Sequence, residues 1–174
     1  AHEDHSNEEV NQAFLEAEFT DEIVGKISVM LQQTKWPLAI RSSSLLEDSS
    51  HQPFAGVYAT YMLANDHPDL EVRLRRLLEA IKLVYASTYY RGAKAYVAAT
   101  PSTIEDERMA VVIQDLVGDE VNGRFYPMIS GAARSHNHYP VEPLIAEDGI
   151  AAICIGLGRQ VSAGGKDLRY SPGQ

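Results

Sequence analysis

The sequence predicts an α+β fold, in which helices pack on a mixed or antiparallel sheet. One observation is the apolar residues that recur at helical spacing, most clearly over residues 69–87. The other is a set of short runs rich in β-branched residues, such as residues 109–117 and 150–155. A chain of 174 residues, 45% hydrophobic and 22% charged, is typical of a folded domain with a substantial core.

Composition excludes several classes of protein. The net charge of −9 argues against non-specific binding to nucleic acid. The single cysteine, Cys154, excludes an internal disulfide framework and a multi-cysteine zinc site, and its apolar neighbours predict that it is buried. No apolar run approaches the roughly 20 residues that span a bilayer, and the first residues lack the basic-then-apolar pattern of a leader. We therefore expect a cytoplasmic protein without a membrane partner.

The N-terminal part of the chain is predicted to be helical. Residues 1–8 are polar and expected to be frayed, and residues 9–174 are expected to form a single domain. Apolar spacing predicts helices at about 8–17 and 21–33, the second with Thr20 as N-cap.

Two further helices are predicted after residue 65. The first starts with Asp66 or His67 at the cap and Pro68 in the first turn. Its apolar stripe consists of Leu70, Leu74, Leu77, Leu78, Ile81 and Tyr85. Arg73, Arg75 and Arg76 are expected on a solvated face paired with Glu71 and Glu79, rather than at a nucleic acid. The second helix is predicted over residues 88–99.

The strands are predicted from β-branched runs and turn signals. A strand at residues 38–40 should stop at Arg41, and a second should cover residues 57–63. Residues 109–117 are predicted as a central strand that pairs with residues 124–130 across the turn at 118–123. Residues 150–155 are predicted as a buried strand, and residues 130–140 as irregular.

The segment between the first two strands is suited to holding phosphate. Arg41 is followed by three serines, by the acidic pair Glu47-Asp48, and by a loop that ends at Gly56. A guanidinium fork beside hydroxyls and backbone N–H groups is a common phosphate-binding arrangement. Judged by residue types alone, a surface ion pair is the more common role for an arginine such as Arg41. His136 and His138 suggest a metal pair, but no third ligand lies close to them in sequence.

Three separated motifs carry a family resemblance over about residues 37–165. The first motif consists of Arg-Ser-Ser, Glu-Asp and Phe-Ala-Gly, with Thr60 four residues after the glycine. The second is the strand Met109–Gln114 followed by a strand that begins with glycine, and the third is Gly156-Leu157-Gly158. In this order they resemble the nucleotide-binding domain of phosphoenolpyruvate synthase and pyruvate phosphate dikinase. Rifampicin phosphotransferases share this domain, which has an ATP-grasp-like fold.

The resemblance implies a nucleotide site for ATP and Mg²⁺. By position, Arg41 would be the catalytic residue that contacts the phosphates. Gly56 and Thr60 would belong to the loop and strand that cover the phosphates, and Gln114 would lie at the adenine. The parent protein would then be an ATP-dependent phosphotransferase that passes phosphate through a histidine to pyruvate or a similar acceptor.

Parts of the family pattern are missing from this sequence. Relatives carry a lysine well upstream of the arginine, and a magnesium-binding Glu and a Gln-x-Arg after the Gly-Leu-Gly element. We therefore expect this chain to be a portion of a larger protein and inactive alone, with its metal ligands elsewhere. The expected partners are a swivelling phosphohistidine domain and a pyruvate-binding domain. One alternative is a nucleotide-sensing module of a signalling protein. Another is a structural domain in which Arg41 is buried in an ion pair with Glu47 or Asp48.

Overall fold

The structure, a computed structural model, describes residues 5–44, 56–99, 108–158, 161 and 167–172. The chain divides into a first unit, residues 1–116, and a second unit, residues 117–174. The helices of the described part are α1 (Asn7–Glu16), α2 (Asp21–Gln33), α3 (Leu70–Ser87) and α4 (Arg91–Ala98). The strands are β1 (Leu38–Ser44), β2 (Thr60–Leu63), β3 (Met109–Asp115), β4 (Asp119–Val121), β5 (Arg124–Tyr126), β6 (Ile129–Arg134), β7 (Ile150–Ile155) and β8 (Leu168–Tyr170).

The first unit is a three-stranded antiparallel sheet with helices packed on one face, which confirms the predicted fold class. The strand order is β2-β1-β3. Side chains alternate between the two faces of a strand, so Leu38 and Ile40 point to the same side. There they meet Leu31 of α2 and Leu77 and Val84 of α3 in a buried core.

The first two helices form as predicted, within one residue of the expected bounds. Ser6 caps α1 in a capping box: its hydroxyl accepts from Glu9 N, and the Glu9 carboxylate accepts from Ser6 N. Both interactions satisfy backbone donors that the first turn leaves unpaired. Thr20 is the N-cap residue of α2, as predicted, although its side chain makes no capping hydrogen bond.

The start of α3 differs from the prediction. The cap is Asp69 rather than Asp66 or His67, and its side chain accepts a hydrogen bond from Glu71 N. Pro68 therefore precedes the helix, in a turn where the Asp69 N–H donates to His67 Nδ1 at 3.1 Å. Five of the six residues of the predicted apolar stripe lie in or against the core, with Leu77 and Ile81 buried. The exception is Leu78, which is half-buried and lies outside that cluster.

Arg73 is buried, which makes its predicted place on a solvated face wrong. Only 6% of the residue is exposed, and Nη1 donates to the Thr34 carbonyl at 2.9 Å and to Asn65 Oδ1 at 3.3 Å. Asn65 in turn donates to the Trp36 carbonyl. Arg73 and Asn65 together therefore satisfy backbone carbonyls just before β1, while Arg75 and Arg76 are exposed.

The last helix of the first unit is shorter than predicted. Residues 88–90 form a turn rather than the first turn of α4, since the N–H groups of Thr88, Tyr89 and Tyr90 bond back to carbonyls of α3. Ala93 and Val97 of α4 bury themselves against Tyr58, which precedes β2. None of the described helices combines the length and the apolar character needed to cross a membrane.

Three strand predictions need correction. β1 continues past Arg41 to Ser44, because Ser42, Ser43 and Ser44 pair with β3 and tertiary pairing outweighs the low strand preference of serine. β2 begins at Thr60 rather than residue 57. β3 lies beside β1 only, at an edge of the described sheet, and β1 is the central strand.

The second unit contains a hairpin and a three-stranded antiparallel sheet. The hairpin joins β4 to β5, not residues 109–117 to 124–130 as predicted. Its turn residues Asn122 and Gly123 have φ of 53° and 72°, the left-handed values that a tight two-residue hairpin turn requires. The sheet has the order β6-β7-β8, so residues 131–134 belong to a strand where the sequence predicted irregular structure. β7 has the predicted bounds, and Cys154 on it is buried as predicted.

Candidate functional site

Arg41, Thr60 and Gln114 lie on the same face of the first sheet. Arg41 of β1 is directly opposite Thr60 of β2 and Val112 of β3. Ala39, two residues before Arg41, is opposite Gln114. Because residues directly opposite each other in an antiparallel sheet point to the same side, all of these side chains share one surface, which we call the Arg41 face.

The Arg41 face is turned away from the helices and is exposed. Arg41, Thr60 and Gln114 are all exposed, and so are Met62 at 62% and Val112 at 42%. The face therefore presents a guanidinium, a hydroxyl and an amide around two apolar side chains. Such a surface can accept a ligand with an apolar flat part and a charged part.

A hydrogen bond joins two of the predicted site residues. Arg41 Nη1 donates to Gln114 Oε1 at 3.4 Å, a long contact between exposed side chains. The two residues are diagonal neighbours across β1 and β3, within reach of long side chains. Arg41 thus stands in the middle of a strand rather than at a strand end, and its position is set by pairing on both sides.

The serines beside Arg41 divide between the two faces of the sheet. Ser43 is exposed on the Arg41 face, whereas Ser44 points to the opposite side and is buried. Glu47 and Asp48 lie outside the described residues, so their predicted support of the loop, and the alternative ion pair with Arg41, stay predictions.

Gly56 lies in the segment that leads into β2 rather than on the Arg41 face. Its φ is 81°, a left-handed value that glycine adopts without strain, and an added Cβ would meet nothing within 4 Å. The constraint at Gly56 is therefore conformational rather than steric.

Ser87 is a residue of this region that the sequence did not indicate. It is fully buried at the end of α3. Its hydroxyl accepts a hydrogen bond from Ala59 N at 3.0 Å and donates one to the Val84 carbonyl at 2.6 Å. Ser87 thus fixes the backbone immediately before Thr60. A serine near a helix end has many possible partners, and no local pattern could have identified this one.

A metal site is not found in the part of the chain that the structure describes. The His136 and His138 rings lie edge to face with centroids 4.8 Å apart. Across the described ranges, no three His, Cys, Asp or Glu side chains are placed to hold a metal ion together. The residues that the structure describes therefore do not provide a ligand set for the magnesium that the resemblance implies.

This chain matches a protein-family model and a bacterial relative. The family model described as "Pyruvate phosphate dikinase, AMP/ATP-binding domain" matches residues 2–168. A relative from Bacillus subtilis (strain 168), named "Uncharacterized phosphotransferase YvkC", is 26% identical over 121 residues. That match covers 68% of this chain and 14% of the relative, so the chain spans a small part of the relative's length.

Proposed function

Since the chain belongs to the family of pyruvate phosphate dikinase AMP/ATP-binding domains, we propose that ATP binds on the Arg41 face. The observation that carries the proposal is that one exposed surface holds Arg41, Thr60 and Gln114. These residues come from three strands and are brought together by strand pairing.

Arg41 is the proposed phosphate-binding residue and the catalytic residue of the site. Its guanidinium is exposed, and its planar fork can donate two parallel hydrogen bonds to phosphate oxygens. In the structure it donates instead to the neutral amide of Gln114. A charged acceptor forms a stronger bond than an amide, so phosphate oxygens would replace Gln114 as its partner.

Gln114 is the proposed adenine-binding residue. Its amide offers both a donor and an acceptor, which matches the donor and acceptor atoms on the edge of an adenine. Val112 and Met62, exposed on the same face, supply apolar surface for the flat ring. Release of Gln114 from Arg41 when phosphate binds would leave its amide oxygen available to the base.

Thr60 and Gly56 are proposed to cover the phosphates. Thr60 is directly opposite Arg41, so its hydroxyl is close enough to donate to the same phosphate group. The segment from Gly56 to Thr60 is held by the buried side chains of Tyr58 and Ser87. This support would keep the covering backbone in place when the nucleotide enters.

The parent protein is proposed to be a phosphotransferase that uses ATP with Mg²⁺. The name of the Bacillus relative supports this reading, and the described residues contribute cationic and neutral donors without a metal cluster. Phosphoryl transfer depends on positioning and on charge neutralisation by metal and cations together. This chain would therefore hold the nucleotide, while the metal ligands, a phosphohistidine domain and the site for pyruvate or a similar acceptor would lie elsewhere in the protein.

A calorimetric titration of Mg-ATP into the chain tests the nucleotide site. Arg41→Ala removes a charged hydrogen-bond donor and should weaken binding by about ten- to a hundredfold. Arg76→Ala is the matched control, because it removes the same charge from an exposed position on α3. Equal loss in both variants, or equal binding in all three proteins, would contradict the role proposed for Arg41.

A further inference from the structure

The sheet of the second unit has a cavity with a floor of small residues. Ala132 of β6 is opposite Ala152 of β7, which is opposite Arg169 of β8. Arg134 and its partner Ile150 lie on the same face, two residues further along their strands. The small alanine side chains leave space between the two arginines, and the resulting cavity has a volume of about 250 Å³.

The cavity has an excess of positive charge in an acidic protein. Arg134 and Arg169 line it together with a single carboxylate, Asp167. Asp167 Oδ2 accepts from Arg169 Nε at 3.1 Å, and the two terminal nitrogens of that guanidinium are not part of this bond. Among the described residues, no carboxylate is within ion-pair distance of Arg134. Two arginines against one aspartate give these three residues a net charge of +1.

One wall of the cavity is formed by residues 136–139, whose backbone is held by hydrogen bonds of Asn137. Asn137 is 7% exposed; its N–H donates to the Ala146 carbonyl at 2.8 Å, and its Oδ1 accepts from Tyr139 N at 3.0 Å. These bonds hold the flanking residues His136 and His138, whose rings contact each other edge to face and both line the cavity. An imidazole N–H is a hydrogen-bond donor that complements a guanidinium at an anion.

We propose that this cavity binds a small oxyanion of the phosphate class, no larger than pyrophosphate. Two guanidinium groups with histidine donors match an anion that has several charged oxygens. The volume is below the 300–1,000 Å³ or so of pockets that enclose a drug-sized molecule, so a whole nucleotide does not fit inside. The proposal does not depend on nucleotide binding at the Arg41 face.

Nuclear magnetic resonance of the histidine rings during a pyrophosphate titration tests the site. In the full chain, the His136 and His138 ring resonances should shift as pyrophosphate is added and reach a constant position when the site is saturated. Arg134→Gln and Arg169→Gln should each weaken the binding that these shifts report by about ten- to a hundredfold. Arg124→Gln is the charge-matched control, because Arg124 is an exposed residue of β5 that does not line the cavity. It should bind pyrophosphate like the wild type.

Two further titrations distinguish binding in this cavity from binding at the Arg41 face and from general anion binding. The shifts should persist in Arg41→Ala, and malonate, a dicarboxylate, should bind more weakly than pyrophosphate. The proposal is overturned if the wild type shows no saturable shift, if Arg124→Gln weakens binding as much as the cavity variants, or if Arg41→Ala abolishes the shifts. Tighter binding of malonate would contradict the phosphate class. Backbone amide spectra of each variant establish that it is folded.

Discussion

Arg41 and Gln114 are 73 positions apart in the sequence, and a hydrogen bond joins their side chains across β1 and β3. The register of these two strands, with Ala39 opposite Gln114 and Arg41 opposite Val112, makes them diagonal neighbours. A guanidinium and a side-chain amide therefore lie side by side on one exposed surface, the arrangement on which the proposed nucleotide site depends. Replacement of their mutual bond by bonds to a nucleotide is the central step of the proposed function.

Gln114→Ala should distinguish the base from the phosphates of the nucleotide. Loss of a neutral hydrogen bond costs about 0.5–1.5 kcal/mol, so ATP affinity should fall by roughly two- to tenfold. Affinity for tripolyphosphate, which has no adenine, should stay at the wild-type value in the same calorimetric titration. Gln32→Ala, an exposed glutamine of α2, is the control. A parallel loss for both ligands would show that Gln114 acts through Arg41 and not at the adenine.

Ser87→Ala should destabilise the first unit and weaken ATP binding. The substitution leaves the Ala59 N–H without its acceptor in a partly buried position, which costs about 1–3 kcal/mol of unfolding free energy. The segment before Thr60 loses its anchor, so affinity should also decrease. Urea denaturation followed by circular dichroism gives the first quantity and calorimetry the second. Ser28→Ala on α2 should change neither, and an unchanged unfolding midpoint in Ser87→Ala would refute the anchoring role.

Leu77→Ala should remove packing at the centre of the first unit. The side chain is fully buried between Leu31, Leu38 and Ile40. Truncation of a buried leucine costs about 2–5 kcal/mol, because transfer free energy is lost and a cavity remains. Leu78→Ala, one position along α3 and half-buried, should cost less in the same urea experiment. A larger loss of unfolding free energy in Leu78→Ala than in Leu77→Ala would contradict the placement of the core on the Leu77 side of α3.

Tyr61→Phe should change the alkaline limb of the stability profile. Burial, and then a hydrogen bond with Tyr90, raise the pKa of Tyr61 from 10.0 to about 12. In this range the folded chain keeps a proton that the unfolded chain releases, so the contribution of Tyr61 to stability is complete below pH 10 and is lost as pH rises to about 12.

Urea midpoints measured across that window provide the test. Unfolding free energy should decrease less steeply with pH in Tyr61→Phe than in the wild type. Tyr139→Phe, at a tyrosine of the second unit that is 89% exposed, should retain the wild-type slope. Identical slopes for the wild type and Tyr61→Phe would mean that burial does not shift the titration of Tyr61.

Elements defined by local patterns could be predicted from the sequence, and those defined by tertiary pairing could not. β7 was predicted with its observed bounds because a continuous apolar run stands between Gly149 and Gly156. β1 was predicted too short, since the three serines are polar and only their pairing with β3 keeps them in the sheet. Arg73 shows the same limit: helical spacing gives its place on α3 but not the carbonyl of Thr34 that it binds.

The candidate site residues came from the order of three motifs rather than from composition. Residue types alone favoured a surface ion pair for Arg41 over phosphate binding. The structure adds that Arg41, Thr60 and Gln114 share one face, which depends on the pairing of β1 with both of its neighbours. Ser87 was missed because its partner, the Ala59 N–H, lies 28 positions away and leaves no local signal.

The most direct test of the proposed function is to locate ATP on the chain by its effect on the backbone amide resonances. We expect the largest shifts in the segment that begins at Gly56 and at residues of the Arg41 face, namely Arg41, Thr60, Val112 and Gln114. Amides of α3, which lies on the other face of the sheet, should shift little. Large shifts confined to α3 or to the second unit, with none on the Arg41 face, would contradict the proposed nucleotide site.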